Sequence, residues 1–400
     1  MPASSLSEAM SPDYAQKRLA LCSFTAMFSM RVCDALLPAL ASEFRVDSVA
    51  VAPVISAFAV GYGIMQILYG PFAERFGKLP LVFFAALGGA GTCLWAALAS
   101  GLDVLIWARL FCGGLVAGIV PMSMAWIGDN SSEQQRHVML ARLLSATVLG
   151  MIVGQFFGGI VAVTLGWRWG FVLLCVLFVG AALWLLPLLH AAPYKEKAKA
   201  LSFWRNWRSV LKRPMARMVL LLVGIEGALV YGVLSFVPLY LHTQTQLSLP
   251  VAGAIVTSFG IGGLCYTHTV KYLLQRLGRN GLIFYGGCGV MVGYALLAVW
   301  PVPIVAILGC WFAGFGFYAL HNSFQFLASQ MAPAMRGTAI GLFACSLFLG
   351  QSVGVSVVAW SIDRWQSAQL ALGISAICVV LLGSWLVYWL KCLAPVRVRT

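Results

Sequence analysis

Four hundred residues that are 61% hydrophobic, with 26 basic and 12 acidic side chains among them, exclude a water-soluble domain, whose apolar and charged fractions run near half and a quarter. The mean hydropathy of +0.91 places the chain in a bilayer. A formal net charge of +14 suggests a nucleic-acid binder, but the positions of the basic residues along the chain exclude that reading.

In chain order, apolar runs predict membrane helices over residues 19–42, 50–69, 80–100, 104–127, 138–163, 168–189, 215–241, 250–270, 281–300, 302–329, 338–361 and 369–390, here called spans 1 to 12. Alternating segments of about ten residues, the mark of a membrane barrel, are absent. With a cytoplasmic N-terminus, 21 Lys and Arg fall on the cytoplasmic side, three (Arg45, Arg168, Arg364) fall outside, and two (Arg31, Arg109) lie within spans. That asymmetry is the positive-inside pattern and predicts both ends in the cytoplasm. Residues 1–18 are polar and carry Glu8 and Asp13 before Lys17 and Arg18. A cleavable signal peptide is therefore not expected, and span 1 serves as its own insertion signal. The eleven Cys lie singly, without CxxC or CxxH spacing, and read as small core residues rather than a disulfide framework or a zinc site.

The long hydrophilic stretch from His190 to Arg217, with eight basic residues against Glu196, divides the spans six and six. It predicts an N-terminal bundle over 1–189, a basic linker over 190–214 and a C-terminal bundle over 215–400. Within the linker, Phe203, Trp204, Trp207, Val210 and Leu211 recur at helical spacing, opposite Arg205, Arg208, Lys212 and Arg213. This is the pattern of an amphipathic helix on the cytoplasmic membrane surface, and binding of a calmodulin-like partner would fit it too.

The halves repeat. At an offset of 201, Phe58, Gly61, Arg75 and Gly77 meet Phe259, Gly262, Arg276 and Gly278. At an offset of 196, Gly154, Gln155 and Gly158 of span 5 meet Gly350, Gln351 and Gly354 of span 11. Falling in register at corresponding spans, these matches point to a duplicated six-helix unit.

The loop after span 2 reads Gly70-Pro-Phe-Ala-Glu74-Arg75-Phe-Gly77-Lys78. A phosphate-binding reading fails, because six residues rather than four separate the glycines and Leu79 stands where Ser or Thr would hold magnesium. The motif resembles that of the major facilitator superfamily, whose loop between helices 2 and 3 carries Gly, an acid, Arg, Gly and a basic residue at this spacing; Glu74 replaces the usual Asp. The resemblance implies a cytoplasmic latch formed by Glu74 and Arg75 against span 11, near Arg336 and Gly337. Three further stretches are similar to the drug:proton antiporter branch. They are Asp34 followed by Leu36-Leu37-Pro38 in span 1, Arg109 followed by Gly113 and Ala117 in span 4, and Gly150, Gly154, Gln155, Gly158 and Gly159 in span 5. Cys112 and Gln155 depart from that branch, standing where it has Gln and Pro. Gly150, Gly154 and Gly158 also form a small-residue stripe that lets two helices pack closely, as do Ser346, Gly350 and Gly354.

Four charges lie inside spans: Arg31, Asp34, Arg109 and Glu226. Each costs about 2.5 to 3.5 kcal/mol at the membrane centre on insertion scales, so they are expected to face a cavity or one another. The resemblance implies that spans 1, 4, 7 and 10, which hold all four, line a central cavity. By depth, Asp34 and Arg109 both lie roughly 9 to 14 Å below the periplasmic boundary, which predicts that they pair, with Arg31 sharing the carboxylate at i, i+3. Glu226 lies about 13 Å inside the cytoplasmic boundary. It is a candidate proton carrier facing His321, although Gly224 and Gly227 leave open a broken helix there. His321, Asn322 and Gln325 form a candidate substrate-cavity cluster, with Tyr62, Trp126, Tyr231, Tyr318 and Trp360 as candidate aromatic walls.

The expectation is an all-α integral membrane protein of twelve helices in two pseudo-symmetric six-helix bundles, a monomer in a bacterial cytoplasmic membrane. It would be a secondary transporter working by alternating access, exporting small organic or amphipathic molecules in exchange for protons. Asp34, Arg109, Glu226 and Arg31 would carry coupling, the proton gradient would supply the energy, and no cofactor, metal or nucleic acid is expected. Gln155 in place of the motif Pro favours the alternative, a symporter importing a small metabolite. A non-transporting receptor is a further reading, whereas a membrane enzyme would need an H-x4-D pair or metal-spaced His that the chain lacks.

Overall fold

The computed structural model describes residues 12–191 and 203–393, and every regular element among them is helical. Ten helices are long and apolar enough to cross a membrane, and a bent pair makes an eleventh span. The helix Leu249–Val299 has 51 residues, a length of about 76 Å at ~1.5 Å per residue, more than twice the ~30 Å of a bilayer core. It breaks at Gly278, whose φ of 64° a side chain would resist. It therefore carries spans 8 and 9, giving twelve among the described residues.

Both halves begin with an interrupted span. Span 1 runs Pro12–Arg31, passes through a 3-10 turn at Val32–Ala35, and resumes as Leu37–Phe44 after a 61° bend. Span 7 runs Pro214–Gly227, widens into a π turn at Ala228–Gly232, and resumes as Val237–Thr245. Pro38 and Pro238 stand in the first turn of the resumed pieces, where a missing N–H costs nothing. The π turn leaves carbonyls without helical partners. The Tyr294 hydroxyl donates to Val230 O at 2.7 Å and the Ser375 hydroxyl donates to Leu229 O at 2.8 Å.

Glycine contacts reproduce the repeat. A Cβ added at Gly61 would fall on the Leu110 carbonyl and near Gly114 N, and one at Gly262 on the Trp311 carbonyl and near Phe315 N. One at Gly113 would strike Phe58 O, and one at Gly314 would strike Phe259 O. All five corresponding residue pairs differ by 201, so spans 2 and 4 pack as spans 8 and 10 do. Gly150, Gly154 and Gly158 lie against the carbonyls of Phe24, Phe28 and Val32 in span 1, whereas Gly350 and Gly354 lie against those of Gly224 and Ala228 in span 7. The last two contacts repeat those of Gly154 and Gly158 at an offset of 196. Gly224 and Gly227 thus serve close packing against span 11, and the helix widens only after Glu226.

The halves meet along two edges. Gly159, Gln155 and Ile152 of span 5 approach Leu249, Gly253 and Gly260 of span 8. Gly63 and Tyr62 of span 2 meet Phe348 of span 11, with the two aromatic rings 4.4 Å apart. Of the linker, residues 192–202 lie outside the described residues. The helix Phe203–Leu211 packs on spans 7 and 11 with Val210 buried and Arg205 and Arg208 exposed, and Arg213 donates to Met331 O at 3.3 Å.

Candidate functional site

None of the four intramembrane charges reaches the protein surface: Arg31 is 2% exposed, and Asp34, Arg109 and Glu226 are fully buried. Their partners differ from the expected pairing. Asp34, in the 3-10 turn, takes Arg31 of its own span, with Arg31 Nη1 to Asp34 Oδ2 at 3.2 Å. Gln155 of span 5 stands beside the same carboxylate. Arg109 forms no ion pair with Asp34. Its Nη1 donates to Ser29 O at 2.8 Å and its Nε to Val54 O at 3.3 Å, and its guanidinium lies 4.2 Å from the Phe58 ring centre. Matching depth fixed the height of Arg109 but not its azimuth. It ties the backbones of spans 1 and 2 together from span 4.

In the C-terminal half, Glu226 Oε2 lies 2.9 Å from His321 Nδ1, across spans 7 and 10. His321 stacks on Phe317 at 5.0 Å and lies 5.3 Å from Phe343, which fixes the imidazole plane. Phe317 in turn meets Tyr231 at 4.8 Å. Tyr231 sits in the π turn, and Arg31 lies over its ring at 4.5 Å. A widened turn matters here, because residues five apart diverge on an α-helix but align on a π-helix. Tyr231 is thereby turned toward the side of span 7 that carries Glu226.

The result is one chain of contacts from half to half, buried except at the half-buried His321: Asp34, Arg31, Tyr231, Phe317, His321, Glu226. Each acid has one carboxylate oxygen held by a basic partner. The other oxygen, Asp34 Oδ1 or Glu226 Oε1, is buried without a hydrogen bond. A carboxylate so placed can accept a proton or a ligand donor.

The cavity cluster expected on span 10 does not form as one site. Adjacent helical residues point about 100° apart. His321 therefore turns to Glu226, whereas Asn322 donates to the Tyr266 hydroxyl of span 8 at 2.9 Å. Gln325, one turn beyond His321 at i, i+4, is exposed rather than turned to Glu226. Trp126 is half-buried on the helix Ile119–Asn130, apart from the chain of contacts. Trp360 is exposed and packs on Trp365 at 5.4 Å, an outer-surface pair rather than a cavity wall.

At the loop between spans 2 and 3, Gly77 with φ 84° ends the span 2 helix, whereas Gly70 lies within that helix and has no neighbour within 4 Å of an added Cβ. Glu74 and Arg75 are exposed, and Arg75 lies over the Phe76 ring at 5.2 Å. Among the described residues no ion pair joins Glu74 to Arg336. Lys78 instead pairs with Asp129 at the end of span 4 and donates to Ala125 O. Sequence reasoning missed Asp129, Tyr294 and Ser375. A lone acid at the end of a span was a signal for the first; a single Tyr and a single Ser in apolar runs gave none.

The profile of the Major Facilitator Superfamily matches residues 19–355. The multi-drug resistance efflux pump PmrA of Streptococcus pneumoniae is 28% identical over 290 residues, 70% of each chain. The 4-hydroxybenzoate transporter PcaK of Pseudomonas putida is 29% identical over 134 residues, 33% of this chain and 30% of that one. Among solved structures, the nucleoside transporter NupG superposes with a TM-score of 0.76 at 14% identity, covering 94% of this chain and 99% of NupG. A bacterial homolog of the human lysosomal transporter Spinster superposes with a TM-score of 0.71 at 13% identity, covering 94% and 96%. Together with twelve spans in two repeated bundles, the profile match shows that this integral membrane chain belongs to the Major Facilitator Superfamily.

Proposed function

We propose that the chain is a secondary transporter working by alternating access that exports small organic or amphipathic molecules in exchange for protons. The observation that carries this reading is the pair of fully buried acids, one in each half, each with one oxygen bound to a basic side chain and one oxygen unpartnered. A carboxyl in that setting exchanges a proton for a substrate donor as the halves rock and the site meets one face of the membrane after the other. Glu226 is assigned as proton carrier, with His321 orienting it. Asp34 and Arg31 are assigned to the coupling of that step to the N-terminal half. The efflux-pump relative supports export. Gln155 beside Asp34 supports the second reading, proton-driven import of a small metabolite.

The test is flux in proteoliposomes holding the full chain. With the lumen acidic and the cytoplasmic face of the protein outward, ethidium should accumulate and the lumen should turn alkaline. Glu226→Gln should retain ethidium exchange at equal pH and lose the response to the gradient. A gradient response kept intact by Glu226→Gln overturns the carrier assignment. Accumulation of 4-hydroxybenzoate down an inward proton gradient, with no ethidium movement, replaces export by import.

A further inference from the structure

The side chain of Arg31 occupies the aromatic face of Tyr231, across the boundary between the halves. That face belongs to a larger aromatic group. Phe317 and Phe259 lie 4.8 and 6.2 Å from Tyr231, and Tyr318 lies 5.4 Å from Phe317. Ring faces carry negative charge density and attract cations, most strongly where water is excluded. Tyr231, Phe259 and Phe317 are all buried. A carboxylate oxygen without a hydrogen bond stands on each side of the group, Asp34 Oδ1 and Glu226 Oε1, with the neutral Gln155 side chain beside the first carboxylate. Aromatic faces flanked by two acidic oxygens make a site for a positively charged organic group, and the cation found there is the protein's own.

We propose that Arg31 is a tethered occupant of a cation site, that the transported occupant is an organic cation which displaces it, and that Tyr231 selects for that cation. This rests on the carriage of small organic molecules proposed above. Arg31 can leave the ring without losing its counter-charge, because its Nη1 already bonds Asp34. The guanidinium suits the seat because it is planar and weakly hydrated; an ammonium on the same stem is strongly hydrated and stacks poorly. The tether fills the ring face when no substrate is bound and sets the affinity that any substrate cation must exceed. A neutral molecule of the same shape gains nothing at the ring face and leaves both orphan oxygens unmet.

Equilibrium binding of tetraphenylphosphonium and phenyltrimethylammonium to the full-length protein in lipid nanodiscs tests this, with tert-butylbenzene as the neutral isostere of the second probe. Binding needs neither a gradient nor a direction of transport, so its outcome is separable from that of the flux experiment. Arg31→Lys keeps the charge for Asp34 and weakens the stacking. It should tighten binding of both cations roughly five- to tenfold, about 1 to 1.4 kcal/mol at 1.4 kcal/mol per tenfold, and leave tert-butylbenzene unaltered. Tyr231→Leu should abolish the gain in the Arg31→Lys background, and Tyr231→Phe, which keeps a π face, should restore most of it. Unchanged or weaker cation binding by folded Arg31→Lys overturns the proposal. Equal tightening for the neutral isostere also overturns it, because Arg31 would then be a steric plug rather than a competing cation.

Discussion

Asp34→Asn removes the carboxylate that holds Arg31 while leaving the guanidinium 2% exposed. Breaking a buried pair from one side typically costs 3 to 5 kcal/mol, because the remaining charge is uncompensated. Arg31 keeps the Tyr231 face, which is worth roughly 0.5 to 2 kcal/mol. That contact is present before and after the change and offsets none of the cost, so the expected loss is about 3 to 5 kcal/mol. The double variant Asp34→Asn with Arg31→Gln removes both charges and should be less destabilised than Asp34→Asn alone. The interaction energy from the four-member cycle should then be about 2 kcal/mol or more. Reversible unfolding by SDS titration in mixed micelles supplies the four stabilities, and gradient-driven flux is read on the same preparations. Additive costs, with an interaction energy under about 0.5 kcal/mol, would refute the pairing. Flux lost in Asp34→Asn at full stability would mark the acid as functional beyond its packing.

How much of this was legible follows from which residue types carry the message. Glycine at a helix contact has no substitute, because a Cβ at Gly113 or Gly314 would strike a backbone carbonyl. The repeat survives in those residues, so the duplicated architecture could be read at offsets of 201 and 196. Burial of Arg31, Asp34, Arg109 and Glu226 was legible from the cost of charge in lipid, and the approach of Glu226 to His321 from counting residues along two spans. Counting fixes height alone. Whether Arg109 points to Asp34 or to the carbonyls of Ser29 and Val54 depends on azimuth and on the 61° bend in span 1, which follows the turn that holds Asp34. The π turn was hidden for another reason: Tyr294 and Ser375, whose hydroxyls donate to its freed carbonyls, are 64 and 146 positions away in the chain.

Three further outcomes are expected. Gly113→Ala and Gly314→Ala, equivalent in the repeat, should each cost about 1 to 3 kcal/mol by overpacking. Gly91→Ala, with nothing within 4 Å of the new Cβ, should stay within about 0.5 kcal/mol in the same SDS titration. Glu74→Gln, at the exposed loop between spans 2 and 3, should slow ethidium exchange severalfold without changing equilibrium tetraphenylphosphonium binding; collapsed affinity at unchanged exchange would show that Glu74 forms no latch. The last concerns Gln155 and Gln351, one position in the duplicated unit facing unlike chemistry. Gln155 stands beside Asp34, whereas at the same offset of 196 the counterpart of Asp34 is Val230, which offers no carboxylate. Gln351 is 3% exposed and its Oε1 is buried without a hydrogen bond. Removing an unsatisfied buried acceptor in favour of an apolar group of similar shape is near neutral or stabilising, whereas depriving a buried charge of a polar neighbour costs about 1 to 3 kcal/mol. Gln351→Leu should therefore leave stability equal or raised and flux intact. Gln155→Leu should lower stability and shift the dependence of flux on the imposed pH gradient. Equal losses at the two positions would show that the repeat sets the role of this glutamine and that Asp34 does not.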